Sequence, residues 1–351
     1  MKAAYWKYLF KYGLGFGVLA YVLISNRDEL KPVFQRPIAI GPFLLAFVIA
    51  ATGLLITFLR WHLLVRAVGL PFSVYNAIRL GLVGYYYNTF LPTSVGGDVL
   101  KAYFIAREQG RRTVAIATVI VDRVIGLWAL VWFVALIGGT FWYFDDPLLA
   151  NKDLRTIVRT SLIVIAVTMG IWIVTGFLND SAAEKLAGLF TKLPLVGKSA
   201  AEFWRACWMY RKQSRAVLIA VLMSLVGHTG WVMVFHLAVQ AFPPPNAADI
   251  GTLPEHIIIV PVGMTVQALF PSPGGIGGGE AAFAGLYEIL GKPRVNGLVG
   301  SMSQRVIFWS LGILGYIVYL RMRETVPRSK ADVALDPLSD GKLVGEPIKY
   351  M

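Results

Sequence analysis

The sequence predicts an all-α, polytopic helical membrane protein, with about six full spans plus two re-entrant broken-helix hairpins in an inverted repeat. Three observations carry this. Of 351 residues, 56% are hydrophobic and 15% charged, against about 25% charged in an ordinary soluble domain. Six stretches match the ~20 apolar residues that cross ~30 Å of hydrocarbon. Two further apolar segments are interrupted by proline, glycine pairs and a carboxylate, in NTFLPTSVGGD and ALFPSPGGIGGGE, a chemistry foreign to a continuous membrane helix.

The first apolar run, residues 8–24, follows Lys2, Lys7 and Lys11. Basic residues before an apolar run also open a signal peptide, but no small-residue cleavage pattern stands near Ser25 and Asn26, so the segment reads as a retained first span. Further spans are expected over 41–61, 114–144, 156–178, 216–241 and 295–320. Residues 1–322 then form one transmembrane domain, with repeat one over 8–144 and repeat two over 156–320. Residues 323–351 read as a largely disordered cytoplasmic tail.

Arginine and lysine mark the cytoplasmic side of short loops. Residues 179–215 hold seven basic residues (Lys185, Lys192, Lys198, Arg205, Arg211, Lys212 and Arg215) against three acidic ones, which places that loop inside. Residues 242–255 hold two acidic residues and no basic one, and Asp145 and Asp146 end another span. Those loops fall outside, and both termini fall in the cytoplasm, with the protein in the plasma membrane.

The second span ends at the inner surface near residues 60–66. If 74–90 then crossed the bilayer, Lys101, Arg107, Arg111 and Arg112 would lie outside and Asp145 and Asp146 inside, against the charge rule. A hairpin that enters from the cytoplasm, turns at 92–97 and returns through DVLKAYFIAREQ satisfies it. Its arm over 81–90 rises about 15 Å as helix, half the hydrocarbon thickness. The segment 256–270 enters from the other face, breaks at 271–279 and returns through AAFAGLYEIL, with Lys292 and Arg294 as accepted exceptions on the outer side.

The two interruptions match in spacing. Asp98 precedes Arg123 by 25 residues and Glu280 precedes Arg305 by 25; DRVIGL pairs with QRVIFW, and HLLVRA at His62 with HLAVQA at His236. Irregular backbone survives in a membrane only inside protein or beside a wet cavity, because each unsatisfied amide or carbonyl costs several kcal/mol. Paired broken helices are how many transporters build a midplane site.

Charge at that depth marks a pathway or a partner. Asp122 and Arg123 lie 10 and 11 residues beyond Arg112, about 15 Å deep, and Arg305 lies 11 beyond Arg294. Asp98 and Glu280 begin the returning half-helices, where a carboxylate caps free amides and meets the positive dipole end; Lys101 is one turn past Asp98. Asp98, Asp122 and Glu280 against Lys101, Arg123 and Arg305 sum to zero, so two readings stand: a structural ion-pair cluster, or an anion site in which a headgroup displaces a carboxylate from Arg123, Arg305 or Lys101.

Other chemistries recede. The basic residues are scattered among loops, so no nucleic-acid face is expected. Cys207 is alone, and the four histidines lack ligand spacing, so no metal or other cofactor is expected. GGIGGGE lacks the GK[ST] of a P-loop. His62 and His236 read as packing residues, with a proton role as the alternative.

LPTSVGGDVLKA, VDRVIGL and PSPGGIGGGE together make residues 8–321 resemble the lysylphosphatidylglycerol synthase transmembrane-region family, a flippase-like membrane domain. In that resemblance Pro92, Gly96, Gly97, Asp98, Asp122 and Arg123 fall on motif positions, as do Pro271, Pro273, Gly274, Gly275, Gly277 and Glu280. Lys101 stands where many members are expected to carry arginine; lysine keeps the charge and loses the bidentate phosphate geometry. Full-length synthases add a soluble aminoacyl-transfer domain, and the resemblance implies lipid handling without lysyl transfer. With Thr93, Ser272 and Gln304 added to the motif and charged residues, the expectation is a flippase moving an anionic phospholipid, an aminoacyl-phospholipid or a polyprenyl-linked lipid. The alternatives are a membrane transferase using Asp98 or Glu280 as general base, or a scaffold for a partner synthase. Expected partners are membrane lipids, with a second copy or a lipid-modifying synthase beside them.

Overall fold

The computed structural model describes residues 2–33, 35, 37–91, 95–194 and 197–325. The expected tail beyond Thr325, and Pro92 and Thr93 at the first break, lie outside the described residues. All regular secondary structure among those residues is helical.

Helix α1 (Lys2–Ser25) runs into α2 (Arg27–Val33) through a 78° bend. Asn26 sits at the corner, and its amide donates to the Val22 carbonyl at 2.7 Å, a side-chain bond that competes with the helical ladder. Next come α3 (Ile40–Ala67), a hairpin of α4 (Val74–Phe90) and α5 (Gly96–Glu108), α6 (Arg112–Tyr143) and α7 (Lys152–Thr175). A short hairpin of α8 (Asp180–Phe190) and α9 (Gly197–Arg211) leads to α10 (Ser214–Gln240). A second hairpin, α11 (Leu253–Leu269) and α12 (Gly278–Ile289), precedes α13 (Arg294–Thr325). The long helices α3 and α10 pack along each other at the centre, with α6 and α13 against them.

Among the described residues six helical segments are long and apolar enough to cross a membrane, as the sequence predicts, but the set differs. It includes 247–269, whose second part is the hairpin arm α11, whereas α1 qualifies only together with its bent continuation. Length and hydropathy alone do not separate a 17-residue arm from a short span.

Both hairpins are antiparallel, held at base and tip. In the first, Arg79 pairs with Glu108 at 2.6 Å at the base, and Asn88 Oδ1 accepts from the Gly97 amide at 2.8 Å at the tip. In the second, His256 bonds Tyr287 at 2.7 Å at the base, Gly263 faces Phe283, and Gly278 faces Phe270 at the tip. The closest approach is Gly97, where a Cβ would stand 1.7 Å from the Gly84 carbonyl oxygen. Gly97→Ala is therefore expected to part the arms and cost about 1–3 kcal/mol, read as a lower thermal unfolding midpoint in detergent. Gly13→Ala, whose Cβ would meet nothing within 4 Å, should not lower the midpoint, since alanine is the better helix former.

The loops sort to two ends of the bundle. Val68, Arg111, Glu184, Arg205 and Lys212 line one surface cavity; Asp146, Asn151, Thr252, Glu255 and Leu290 line another. The basic exceptions at the second end are locally neutralised: Lys292 lies 3.6 Å from Glu255, and Arg294 pairs with Glu288 at 2.7 Å.

The α8–α9 hairpin is tied to α3 by Tyr210, whose hydroxyl donates to the Leu64 carbonyl at 2.8 Å. Burial there pushes the Cys207 thiol up to about 11. Asp180 accepts from Lys212 and from Trp208, each at 2.9 Å, and these bonds, Lys212 first, hold its carboxyl below the usual range. The tie is complete above the unfolded carboxylate value of about 4 and is lost as the pH falls through the lower folded value. Trp208 fluorescence on acid titration is expected to report that loss, and Asp180→Asn to abolish the transition.

Candidate functional site

Helix α6 is the platform. Asp122 and Arg123 are neighbours on it, so their side chains leave about 100° apart and meet different partners. Asp122 turns towards α3 and α5. Its carboxylate accepts from Arg60 Nε at 2.8 Å and lies 3.7 Å from Lys101 Nζ. The other guanidinium nitrogens of Arg60 donate to Ser224 Oγ on α10 at 2.8 Å and to the Asp122 carbonyl at 3.2 Å. Lys101 rests on the face of the buried Trp61, 4.1 Å from the ring centroid, a contact that favours a cation withdrawn from water.

Arg60 is a correction to the sequence reading, which set it at the inner surface. It is 6% exposed and braces three helices. The available signal was its place within ITFLRWHLL, six residues before Arg66, the basic residue in the last turn of α3. Lys101, one turn past Asp98 on α5, thus meets Asp122 and Trp61.

Arg123 turns the other way, towards both hairpins. Its Nη1 donates to Asp98 Oδ2 at 2.5 Å, and its Nη2 donates to the Ala268 carbonyl near the end of α11 at 3.3 Å. Asp98 is no helix cap, contrary to expectation. Its Oδ1 accepts from Asn88 Nδ2 at 3.3 Å, while Asn88 satisfies the Gly97 amide at the start of α5, next to Gly96. The amide is neutral and reaches across from α4, which leaves the carboxylate to Arg123.

Glu280 does cap. Its Oε2 accepts from the Gly277 amide at 2.8 Å and its Oε1 from Arg305 Nε at 2.5 Å. Arg305 then donates to the carbonyls of Gly274 at 3.0 Å and Gly275 at 3.4 Å. Those glycines and Gly277 have φ of 53°, 69° and 84°, the left-handed region open to glycine at no steric cost. Between Pro271 and Ile276 the turn is closed by Ser272, fully buried, whose hydroxyl donates to the Ile276 carbonyl at 2.7 Å; Pro273 is also buried. Gln304, next to Arg305, is 1% exposed, and its Nε2 has no hydrogen-bond partner among the described residues.

Both acid–base pairs separated by 25 residues are thus ion pairs, and the hairpin tips meet. A Cβ on Gly274 would stand 3.0 Å from the Thr89 carbonyl oxygen. The expected neutrality does not hold once Arg60 joins: Arg60, Lys101, Arg123 and Arg305 against Asp98, Asp122 and Glu280 leave a formal surplus of one positive charge. The pairs differ in access. Side-chain exposure is 25% for Arg123 and 16% for Asp98, but 7% and 1% for Arg305 and Glu280. Beside the open pair, Val95 and Val99 on the first hairpin and Val266 and Leu269 on the second are exposed.

Residues 10–315 match the family model of the lysylphosphatidylglycerol synthase TM region. The chain is similar to a UPF0104 membrane protein of Methanothermobacter thermautotrophicus, 23% identical over 317 residues, covering 84% of this chain and 89% of that protein. It is also similar to a UPF0104 membrane protein of Methanocaldococcus jannaschii, 21% identical over 301 residues, covering 82% and 86%. No solved structure matches the chain at a significant level.

Proposed function

Because the chain belongs to the lysylphosphatidylglycerol synthase transmembrane-region family, we propose that it moves an anionic lipid between leaflets, the headgroup taking the place of Asp98 on Arg123. The observation that carries this reading is the partly exposed Arg123–Asp98 pair, flanked by exposed Val95, Val99, Val266 and Leu269. A polar anion site beside apolar surface fits an amphipathic ligand, with its head among the charges and its chains still in the bilayer. A competing carboxylate lets the site stay paired when empty.

In this reading the two hairpins are re-entrant, enter from opposite faces and form an inverted repeat around the site, in a plasma membrane with both termini in the cytoplasm. The transferase alternative is disfavoured by the bonding of its candidate bases. Asp98 is already engaged by Arg123 and Asn88, and Glu280 by Arg305 and the Gly277 amide.

The test is lipid movement in proteoliposomes holding the purified protein alone, followed with fluorescent anionic and zwitterionic lipid analogues. Anionic analogues are expected to cross faster than in protein-free vesicles and faster than zwitterionic ones. Rates equal to those of empty vesicles would remove the proposal.

A further inference from the structure

The second hairpin is fastened to α10 by a chain of polar side chains that the lipid path does not use. Gln240 Nε2 lies 2.9 Å from His236 Nε2, His236 Nδ1 lies 2.8 Å from His256 Nδ1, and His256 Nε2 lies 2.7 Å from Tyr287 Oη. The chain joins α10 to both arms of the hairpin that carries Glu280. His256 is fully buried, with Phe235 edge-on to its ring at 5.3 Å.

Proton counting gives this chain a capacity. A neutral imidazole has one N–H and one bare nitrogen, so two Nδ1 atoms in hydrogen-bond contact share a single proton. If His236 Nδ1–H donates, His236 Nε2 accepts from the Gln240 amide, and His256 Nε2–H donates to Tyr287. An added proton goes to His236 Nε2, and the Gln240 amide turns to offer its oxygen. The imidazolium still donates to His256, and the bridging proton can cross to that ring with no heavy atom leaving its partner. A second added proton has no place, because two Nδ1–H groups would then face each other at 2.8 Å.

We propose that His236 and His256 form a one-proton binding site on the second hairpin; on the lipid-moving reading above, that proton is the coupling ion. The groups facing the pair are the Tyr287 phenol from α12 and the Lys292 ammonium from the following turn, and the Glu255 carboxylate of α11 acts on Tyr287. From the α6–α7 connection, Asp146 shares the surface cavity with Glu255. The Lys292–Glu255 pair is itself neutral, so a proton captured by the histidines changes the net charge held between α10 and the hairpin. The first half has no equivalent: His62 stacks on Phe72 at 6.2 Å, with no second histidine beside it among the described residues.

The test starts from wild-type protein in nanodiscs with nitrogen-15-labelled histidine, titrated from about pH 8 to about pH 4.5 across the histidine range. His236 and His256 are expected to shift together while binding one proton between them. His236→Gln and His256→Gln should each remove that uptake, and His62→Gln should keep it. Two protons bound independently, or none in this range, would overturn the site, and the wild-type spectra decide this even if a variant fails to fold. In proteoliposomes, the lipid rate should change by up to about tenfold per pH unit, the limit for one linked proton, on the side of the 242–255 loop, and His236→Gln should flatten it. A shared proton with a pH-independent lipid rate would overturn the coupling. A shared proton with no lipid movement at any pH supports the site and rejects the lipid reading instead.

Discussion

Replacing Arg123 with alanine is expected to slow lipid movement about a hundredfold while the protein remains folded. Truncating one partner of a hydrogen-bonded charge pair costs ~2–5 kcal/mol when that pair is the recognition contact. The fold is spared because the residue left behind is Asp98, 16% exposed and still bonded by Asn88, so its charge keeps a donor and some contact with solvent. Arg123→Lys should restore part of the rate, since the charge remains and the fork geometry is lost. Asp98→Asn removes the competitor, and the anionic lipid should then bind more tightly and leave more slowly. The measurement is lipid movement in vesicles beside a thermal melt of the same preparation; a wild-type rate in Arg123→Ala would exclude Arg123 as the anion contact.

Arg305→Ala, by contrast, is expected to destabilise the protein by about 3–5 kcal/mol, the usual result of breaking a buried ion pair by removing one partner. Glu280, 1% exposed, would lose its guanidinium partner, and the carbonyls of Gly274 and Gly275 would lose their donors. The turn they stabilise carries three glycines at positive φ and touches α1 through Gly15, whose carbonyl oxygen would be 2.3 Å from a Cβ on Gly277. Loss of this brace should therefore free the tip of the second hairpin as a unit. Combining Arg305→Met with Glu280→Gln should recover much of the stability, because no bare charge is left inside. The check is the unfolding midpoint in detergent. An unchanged midpoint with transport abolished would mean that Arg305, like Arg123, serves the substrate.

Spacing made the two 25-residue acid–base pairs legible, since each joins the start of a returning arm to the next long helix, and chain separation alone brings them to similar depth. What the spacing left open was their inequality. Asp98 is released from capping by Asn88, a residue with no distinguishing signal in the sequence, whereas Glu280 caps its own helix. Arg60 was hidden for a related reason: its partners Asp122 and Ser224 lie 62 and 164 residues away, and nothing local announces them. The His236–His256 contact joins two helices whose facing sides are set by packing around Phe235 and Phe283, which stack at 4.2 Å.

By itself, the sequence determined that this chain is a helical membrane protein broken twice by proline and glycine, because hydropathy, helix breaking and the cost of bare backbone in lipid are properties of a single stretch of chain. Only the tertiary structure decided which charges pair, which pair is left open beside apolar surface, and that one positive charge remains in surplus. Those outcomes depend on which faces of α3, α6 and α10 meet, and residue order within one segment carries no record of the face that a distant segment will present.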